Sequence, residues 1–473
     1  MKDNLLLHTD AYKVSHVEQY PKGTTKIYSY LTARSDKKLP VTVFFGLQYY
    51  LKKYLTTVPT QAMVNEFLSL RKEILGAEAS EDVKAKLQGL VELGYIPLKI
   101  KAVEEGTVLP VKNVLMTITN THPDYYWMVG FVESLLLKVW NTTTVASYSR
   151  SLKDLCMDFA RATCDDEGHL PFQVHDFGFR GCSSEETAAL SGSAHLINFL
   201  GTDTIPAIKL VKDIYQGSAG PIGLSVPASE HSVMCSFGQE NELAAFKNML
   251  SLYPTGIVSI VSDTYNLWNV LTTFVDQLKD QIIAREGKVV FRPDSGDPEK
   301  IICGDPSAPS GSPQNLGCLR LLEQQFGTTK NSKGFKVLNP KVGLIYGDGM
   351  YFERFKRILS NMAEMGFASS NLVIGVGGLL LQQHSRDDQG FAIKATYAEI
   401  NGESREIVKD PITDSGKKSH KGLLSLSKNS KGDFVTKDGC TWQEESEGLL
   451  ETVFENGVLL KDISFDKVRE NAR

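Results

Sequence analysis

IVSIVSDTY, residues Ile257–Tyr265, is a short apolar run that stops at once on Ser262, Asp263 and Thr264. So short a run, rich in β-branched residues, reads as a buried strand, and its polar end as a place where side chains leave the core. Thirty-two residues on, VVFRPDSGD from Val289 repeats the form. Working outward, the same shape recurs in FQVHDFGFRG from Phe172, NFLGTDT from Asn198 and IGLSVPASEH from Ile222. It recurs again in VGLIYGDG from Val342 and LVIGVGG from Leu372. The seven runs start 26, 24, 35, 32, 53 and 30 residues apart. Most of these intervals suit a β-α-β unit of about 30 residues. Helix-like stretches such as IPAIKLVKDIY and NELAAFKNMLSLY fill several of the gaps. Strand, polar turn and helix in repetition mean parallel strands covered by helices, in an open sheet or a closed barrel. The 53-residue interval holds CGDPSAPSGSPQNLG (303–317), read as a surface excursion or mobile loop.

The flanks have another texture. Residues 96–118 read as strands around turns, 124–164 as helix, and the chain after Phe391 as strands again, with an Asn456-Gly457 hairpin turn. The expected fold is therefore α/β. It is an irregular (β/α) barrel packed with a β-rich module formed by both chain ends. The expected division is an α+β region at 1–165, the barrel with its active-site strand ends at 166–390, and a β-rich segment at 391–473 that packs back on the first region.

The chain has 473 residues, too many for one compact core, with 42% hydrophobic residues and a net charge of −5. The mild negative charge speaks against nucleic acid as a partner. MKDNLLLHTDAYKVSH lacks the apolar core of a signal peptide, and no stretch is long enough to span a bilayer. Seven scattered cysteines without a C-x-x-C pair suit a reducing compartment, so a cytoplasmic location is expected.

Neither a P-loop nor a dinucleotide fingerprint is present, and the nine histidines have no zinc-ligand spacing. What the strand ends do carry is Arg180, Arg292 and Arg386, each just past an apolar run or its glycine turn. Guanidinium forks on one barrel face suit phosphate or diphosphate. Gly347-Asp348-Gly349 and Gly377-Gly378 allow backbone N–H groups near a phosphate. Asp203, Asp263, Asp294 and Asp348 suit ribose hydroxyls, an amide, an imidazole or Mg²⁺. Singly, each has a plain structural reading: a lone Gly-Asp-Gly is a turn, and His175 reads as a structural histidine. Together, in one periodic frame, they point to a site for a phosphorylated sugar.

In order and spacing, DAYKVSHVEQYP, HDFGFRG, GTDT, SVPASEHS, VSDTYN, RPDSG, GDG and GGLLLQQHSRD resemble the nicotinamide phosphoribosyltransferase family, of the type II phosphoribosyltransferase fold. The likeness runs from about Leu6 to Asn471. It implies transfer of phosphoribose from phosphoribosyl diphosphate to nicotinamide, giving nicotinamide mononucleotide and diphosphate in NAD biosynthesis. It also implies a homodimer with shared active sites, Mg²⁺, and ATP as co-substrate, hydrolysed through a phosphohistidine. By the resemblance His231 is the phosphorylated histidine, Asp263 orients it, and Glu230 assists. Phe177 and Tyr12 sandwich the pyridine ring, Tyr12 coming from the partner subunit. Asp203 accepts from the carboxamide, and Arg292 also borders the nicotinamide. Arg180 and Arg292 hold phosphate oxygens and Asp294 the ribose. Gly347, Asp348, Gly378 and Arg386 surround the 5′-phosphate and ribose, and Arg34, Lys394, Lys409 and Lys417 are further phosphate-reaching cations. Val376 and Leu379 stand where the vertebrate pattern has serine and glycine, and Phe179 where it has tyrosine.

Nicotinate phosphoribosyltransferase shares the aromatic and basic groups, but a carboxylate at Asp203 would repel nicotinate. A non-catalytic binding protein on the same fold would tolerate loss of His231, Asp263 or Arg292, and all three are present. A metal-dependent barrel hydrolase would need clustered ligands that are missing.

Overall fold

The structure, a computed structural model, describes residues 4–408 and 419–473, so Lys409 and Lys417 lie outside the described residues. Contacts divide the chain into two compact units. One comprises residues 1–147, 211–219 and 384–473; the other comprises 148–210 and 220–383. The first boundary falls inside the helix Val139–Thr163, where the texture of the sequence suggested 165.

The second unit is built on five parallel strands in the order Val174–Asp176, Leu372–Val376, Val342–Tyr346, Glu286–Arg292 and Thr255–Val261. Its two edges are joined through segments that make only isolated parallel bridges. Asp176 bridges Thr202, Gly201 bridges Leu224, and Ala228 bridges Ser259. The seven apolar runs are thus seven staves of a closed parallel ring, five of them regular strands. One reason the 222–228 stave is irregular is Pro227, which has no N–H to give the ladder. The ladder passes around it: Ser259 N–H donates to Pro227 O at 2.9 Å and Ser229 N–H to Ser259 O at 3.0 Å.

Side chains alternate along these strands. Val258, Ile260, Val289 and Phe291 are fully buried, whereas Ile257, Ser259, Lys288, Val290 and Arg292 face the inside of the ring. Small inward residues at Ala228, Ser259 and Gly343 leave the ring unfilled, and it encloses a cavity of about 420 Å³. Phe352–Glu364 buries Phe355, Ile358, Leu359 and Met362, the i, i+3, i+4, i+7 stripe of an amphipathic helix.

Of the 303–317 segment only residues 304–312 form a connection, between the helices Pro298–Cys303 and Pro313–Phe326, and the second helix is kinked at Gly317. It is not the loose loop that its composition suggests. Asp305 accepts from Ser307 N–H at 2.9 Å, and Asn315 Nδ2 donates to Asp305 O at 3.0 Å. Gly317, at φ +74°, lies so near the Gly304 backbone that a Cβ would come within 2.3 Å of Gly304 N.

The first unit carries a seven-stranded antiparallel sheet drawn from both chain ends. Thr24–Thr32, Leu98–Ala102 and Val114–Asn120 pair with Ala392–Ile400 and Glu451–Glu455 from the other end. Asn456 and Gly457 both have positive φ, as the turn that joins Glu451–Glu455 to Val458–Leu459 requires. Among the described residues no helix is long and apolar enough to cross a membrane.

Candidate active site

At the C-terminal end of the ring, where parallel barrels carry function, most strands end on a polar or aromatic residue, while Leu372–Val376 runs into Gly377-Gly378. Phe177 follows Val174–Asp176 and lies across glycine. A Cβ on Gly375 would stand 2.1 Å from the Phe177 ring, and one on Gly347 would stand 3.5 Å away. Only glycine at 375 leaves the ring room. The turn behind Phe177 is held by Asp176, which is fully buried. One carboxylate oxygen of Asp176 accepts from Gly178 N–H at 2.7 Å and the other from the Thr202 hydroxyl at 2.9 Å. Its carbonyl accepts from Asp203 N–H at 2.9 Å. Asp176 therefore ties the Phe177 turn to the Asp203 strand end.

Asp203 lines the cavity together with Phe177, Arg292 and His175. His175 is more than a packing residue: its Nε2 donates to Asp203 Oδ1 at 2.9 Å, and the Ser225 hydroxyl donates to the same oxygen at 2.5 Å. Burial pushes the Asp203 carboxyl up, but these bonds, the charge of His175 and that of Arg292 outweigh it and hold the group below the usual carboxylate range. The result is an anion with one oxygen engaged and the other open to the cavity. The imidazole of His175 stands beside Phe177, with ring centroids 4.7 Å apart.

Arg292 ends its strand with Nη2 donating to Ser229 O at 2.8 Å, while its buried Nε has no partner. Ser229 in turn accepts Val261 N–H at 3.0 Å, which fixes the turn that delivers His231. His231 begins the short helix His231–Cys235, and its Nε2 is 3.3 Å from Asp263 Oδ1. The Asp263 side chain is 5% exposed. Its other oxygen accepts from Asp294 N–H at 3.0 Å and from the Ser295 hydroxyl at 2.6 Å. Asp263 is thus clamped by the next strand's loop beside the half-exposed imidazole. Glu230 caps this helix by position, but its carboxylate accepts from the Ser232 hydroxyl.

Burial raises the Asp294 carboxyl, as do Asp263 and Asp348, against the opposing charges of Arg292 and His231. A carboxyl that burial pushes toward its neutral form, as at Asp294, gains from a cation brought near it. No three His, Cys, Asp or Glu residues are grouped as a metal cage among the described residues. Asp348 lies near enough to Asp294 for its charge to act on that carboxyl.

Arg180 and Asp348 are exposed at the same strand ends, on the Phe179–Gly181 and Gly347–Gly349 turns. Gly181 lies against Gly378, where a Cβ on Gly181 would be 2.9 Å from Gly378 Cα. Val376 buries its side chain and offers its carbonyl to Phe177 N–H at 2.9 Å, while Phe179 is 41% exposed. Tyr12, Arg34, Arg386 and Lys394 belong to the first unit. There Tyr12 is 62% exposed, and Arg34 Nε donates to Gly390 O at 2.9 Å. The structure adds Asp176, His175, Ser225, Ser229 and Gly375 to the residues read from sequence. The signal that could have found Gly375 is a glycine in mid-strand, which marks close approach.

A model of the nicotinate phosphoribosyltransferase (NAPRTase) family matches residues 172–458, and one of the nicotinamide phosphoribosyltransferase N-terminal domain matches residues 4–92. The chain is 41% identical to a nicotinamide phosphoribosyltransferase of Acinetobacter baylyi, with 99% of this chain and 96% of the relative covered. It is 40% identical to one of Xanthomonas campestris pv. campestris, with 99% and 98% covered. In fold it is similar to a nicotinate-nucleotide pyrophosphorylase from Pyrococcus furiosus (TM-score 0.59, 14% identity, 100% of this chain and 95% of that one covered). Human nicotinic acid phosphoribosyltransferase gives a TM-score of 0.55 at 15% identity, with 98% and 92% covered.

Proposed function

The chain belongs to the nicotinate phosphoribosyltransferase family, and from that membership we propose that it transfers phosphoribose from phosphoribosyl diphosphate to nicotinamide. The products are nicotinamide mononucleotide and diphosphate, and the reaction serves NAD biosynthesis. The observation that carries the choice of substrate is Asp203, an anion with one oxygen held by His175 and Ser225. Its open oxygen takes a hydrogen bond from the carboxamide NH₂ of nicotinamide and repels the carboxylate of nicotinate.

In this reading the pyridine ring stacks on Phe177, with Tyr12 of a second copy on its other face. Its nitrogen is thereby aimed at the ribose C1. Departure of diphosphate builds negative charge, and Arg292, whose Nε has no partner in the fold, and Arg180 stand to receive it. Asp294 holds ribose hydroxyls, and Gly347, Asp348 and Gly378 border the 5′-phosphate. Arg34, Arg386, Lys394, Lys409 and Lys417 supply further cations by family resemblance. Mg²⁺, faced by Asp294 and Asp348, would neutralise diphosphate charge when bound.

ATP enters through His231. His231 Nε2 lies 3.3 Å from Asp263 Oδ1, and in the proposed step Nδ1 carries the lone pair and is the nucleophile toward the γ-phosphorus. The N–P bond forms as the bond to ADP breaks, and Glu230 assists at the same turn. A homodimer in the cytoplasm completes the proposal.

The test is incubation with phosphoribosyl diphosphate and either nicotinamide or nicotinate, with the mononucleotide identified by mass. Nicotinate mononucleotide as the main product would move the chain to the nicotinate enzyme. With labelled ATP, His231→Ala is expected to lose both ATP turnover and the acid-labile phosphate of the wild type. Undiminished turnover would remove His231 from the scheme.

A further inference from the structure

The helix Phe352–Glu364 starts against the preferences of a helix N-terminus. Its cap is Tyr351, whose side chain makes no cap hydrogen bond, and its third residue is the cation Arg354, where glutamate or glutamine is favoured. A positive charge in the first turn also opposes the helix macrodipole. Arg354 instead reaches back across the turn that precedes the helix. Its Nη1 donates to Gly349 O at 2.6 Å, and its guanidinium carbon lies 4.9 Å from the centre of the Tyr351 ring. Its Nε, buried without a hydrogen-bond partner, stands 4.0 Å from Glu299 Oε1. Glu299 belongs to the helix Pro298–Cys303, which follows the Asp294 loop. Arg357, one turn on from Arg354, donates to Glu299 Oε1 from Nε at 3.0 Å and from Nη2 at 2.7 Å. Two more contacts join the same loops. The Tyr346 hydroxyl donates to Gly296 O at 3.1 Å, and Asp294 Oδ1 lies so near Gly347 that a Cβ there would stand 2.8 Å from it.

We propose that Arg354 is a positioning residue for the phosphoribosyl group, holding the Gly349 carbonyl so that the Gly347–Gly349 turn stays set against Asp294. The inference rests on the reading above of that turn as the border of the 5′-phosphate. Gly349 has φ +63°, which glycine adopts freely, and a turn flanked by glycines loses much backbone freedom when it becomes ordered. Arg354 orders the turn within the fold, so the phosphoribosyl group does not have to order it on binding. The cations assigned to the diphosphate are held by other means. Arg180 stands on the Phe179–Gly181 turn, and Arg292 is anchored on Ser229 O. The effect of Arg354 therefore falls on the 5′-phosphate end of the substrate and spares the diphosphate end.

The experiment measures mononucleotide synthesis in the full-length wild type, Arg354→Met and Arg354→Lys, with ribose 5-phosphate and inorganic diphosphate as inhibitors. Thermal midpoints show that each protein is folded. Arg354→Met keeps the apolar stem beside Tyr351 and removes the donor. It is expected to raise KM for phosphoribosyl diphosphate and Ki for ribose 5-phosphate at least tenfold. KM for nicotinamide, Ki for diphosphate and kcat are expected to stay within threefold. Arg354→Lys keeps a donor for Gly349 O and is expected to come within threefold of the wild type throughout. A Met variant with unchanged KM for phosphoribosyl diphosphate and unchanged Ki for ribose 5-phosphate overturns the positioning role. So does one whose Ki for diphosphate rises as far as that for ribose 5-phosphate. A Lys variant that falls as far as Met overturns the hydrogen bond to Gly349 as the cause. If the wild type makes no mononucleotide, the functional reading fails and takes this inference with it; if it does and the Met variant matches it, this inference alone fails.

Discussion

Asp203→Asn is expected to shift the preference between nicotinamide and nicotinate toward nicotinate. In the wild type, Asp203 Oδ1 takes two donors, His175 Nε2 at 2.9 Å and the Ser225 hydroxyl at 2.5 Å. An asparagine in the same rotamer must turn its carbonyl oxygen to those donors, which leaves its NH₂ facing the cavity. Nicotinamide would then meet a donor with its own donor, while nicotinate would gain one. A hydrogen bond to a charged group is worth about 1.5–3 kcal/mol. Nicotinamide loses one such bond and nicotinate acquires one, so the preference shifts by about 3–6 kcal/mol before repulsion is counted. The Asp203 side chain is 43% exposed, so solvent screens part of this and the lower end applies. At about 1.4 kcal/mol for each factor of ten, the ratio of kcat/KM values should move roughly a hundredfold toward nicotinate. The assay is kcat/KM for both substrates in both proteins, with the thermal midpoint as a control. A ratio unchanged within threefold, with the variant folded, would refute the placement of the carboxamide on Asp203.

Gly375→Ala puts a Cβ 2.1 Å from the Phe177 ring, so the ring must move. The expected outcome is a KM for nicotinamide raised at least tenfold, with a stability loss of about 1–3 kcal/mol seen in denaturant melts. Asp294 has its folded pKa raised, chiefly by burial, so its charged form costs stability once pH climbs through the folded value, and the penalty vanishes below the ordinary value near ~4. Asp294→Asn should therefore raise the thermal midpoint at neutral pH but not at about pH 3.5, while abolishing synthesis; an equal shift at both would reject this cause. Tyr12 is exposed in its own unit and, in the proposed dimer, completes a neighbour's site. Mixing Tyr12→Ala with His231→Ala should restore ATP-stimulated synthesis through hybrid dimers, and mixtures that exchange subunits without recovery would place each site within one chain.

Much of the ring was legible locally. IVSIVSDTY and VVFRPDSGD announce buried strands because β-branched residues and polar stops act over a few residues, and helices of the right period follow several such runs. Arg180, Asp203, Asp263, Arg292 and Asp294 stand out because each falls at such a stop, whereas Phe177 and His231 were named by the family resemblance. That both chain ends build strands was legible for the same reason, down to the Asn456-Gly457 turn, but the central strand Thr24–Thr32 was not. The 303–317 segment misled because proline, glycine and serine record only local flexibility. The pressing of Gly317 on Gly304 is a contact between residues 13 apart in the chain.

The sequence by itself determined which residues leave the strands, and in what order. Only the tertiary structure decided what each one meets. That His175 holds Asp203, that the Phe177 ring lies on Gly375, and that Arg292 anchors on Ser229 are pairings across 28 to 198 residues. They exist because the ring brings strand ends together at spacings set by hydrogen-bonded ladders, about 4.8 Å apart, whatever the length of chain between them. The cavity is of the same kind. Ala228, Ser259 and Gly343 are unremarkable in their own strands, and only closure of the ring turns three small side chains into an empty interior.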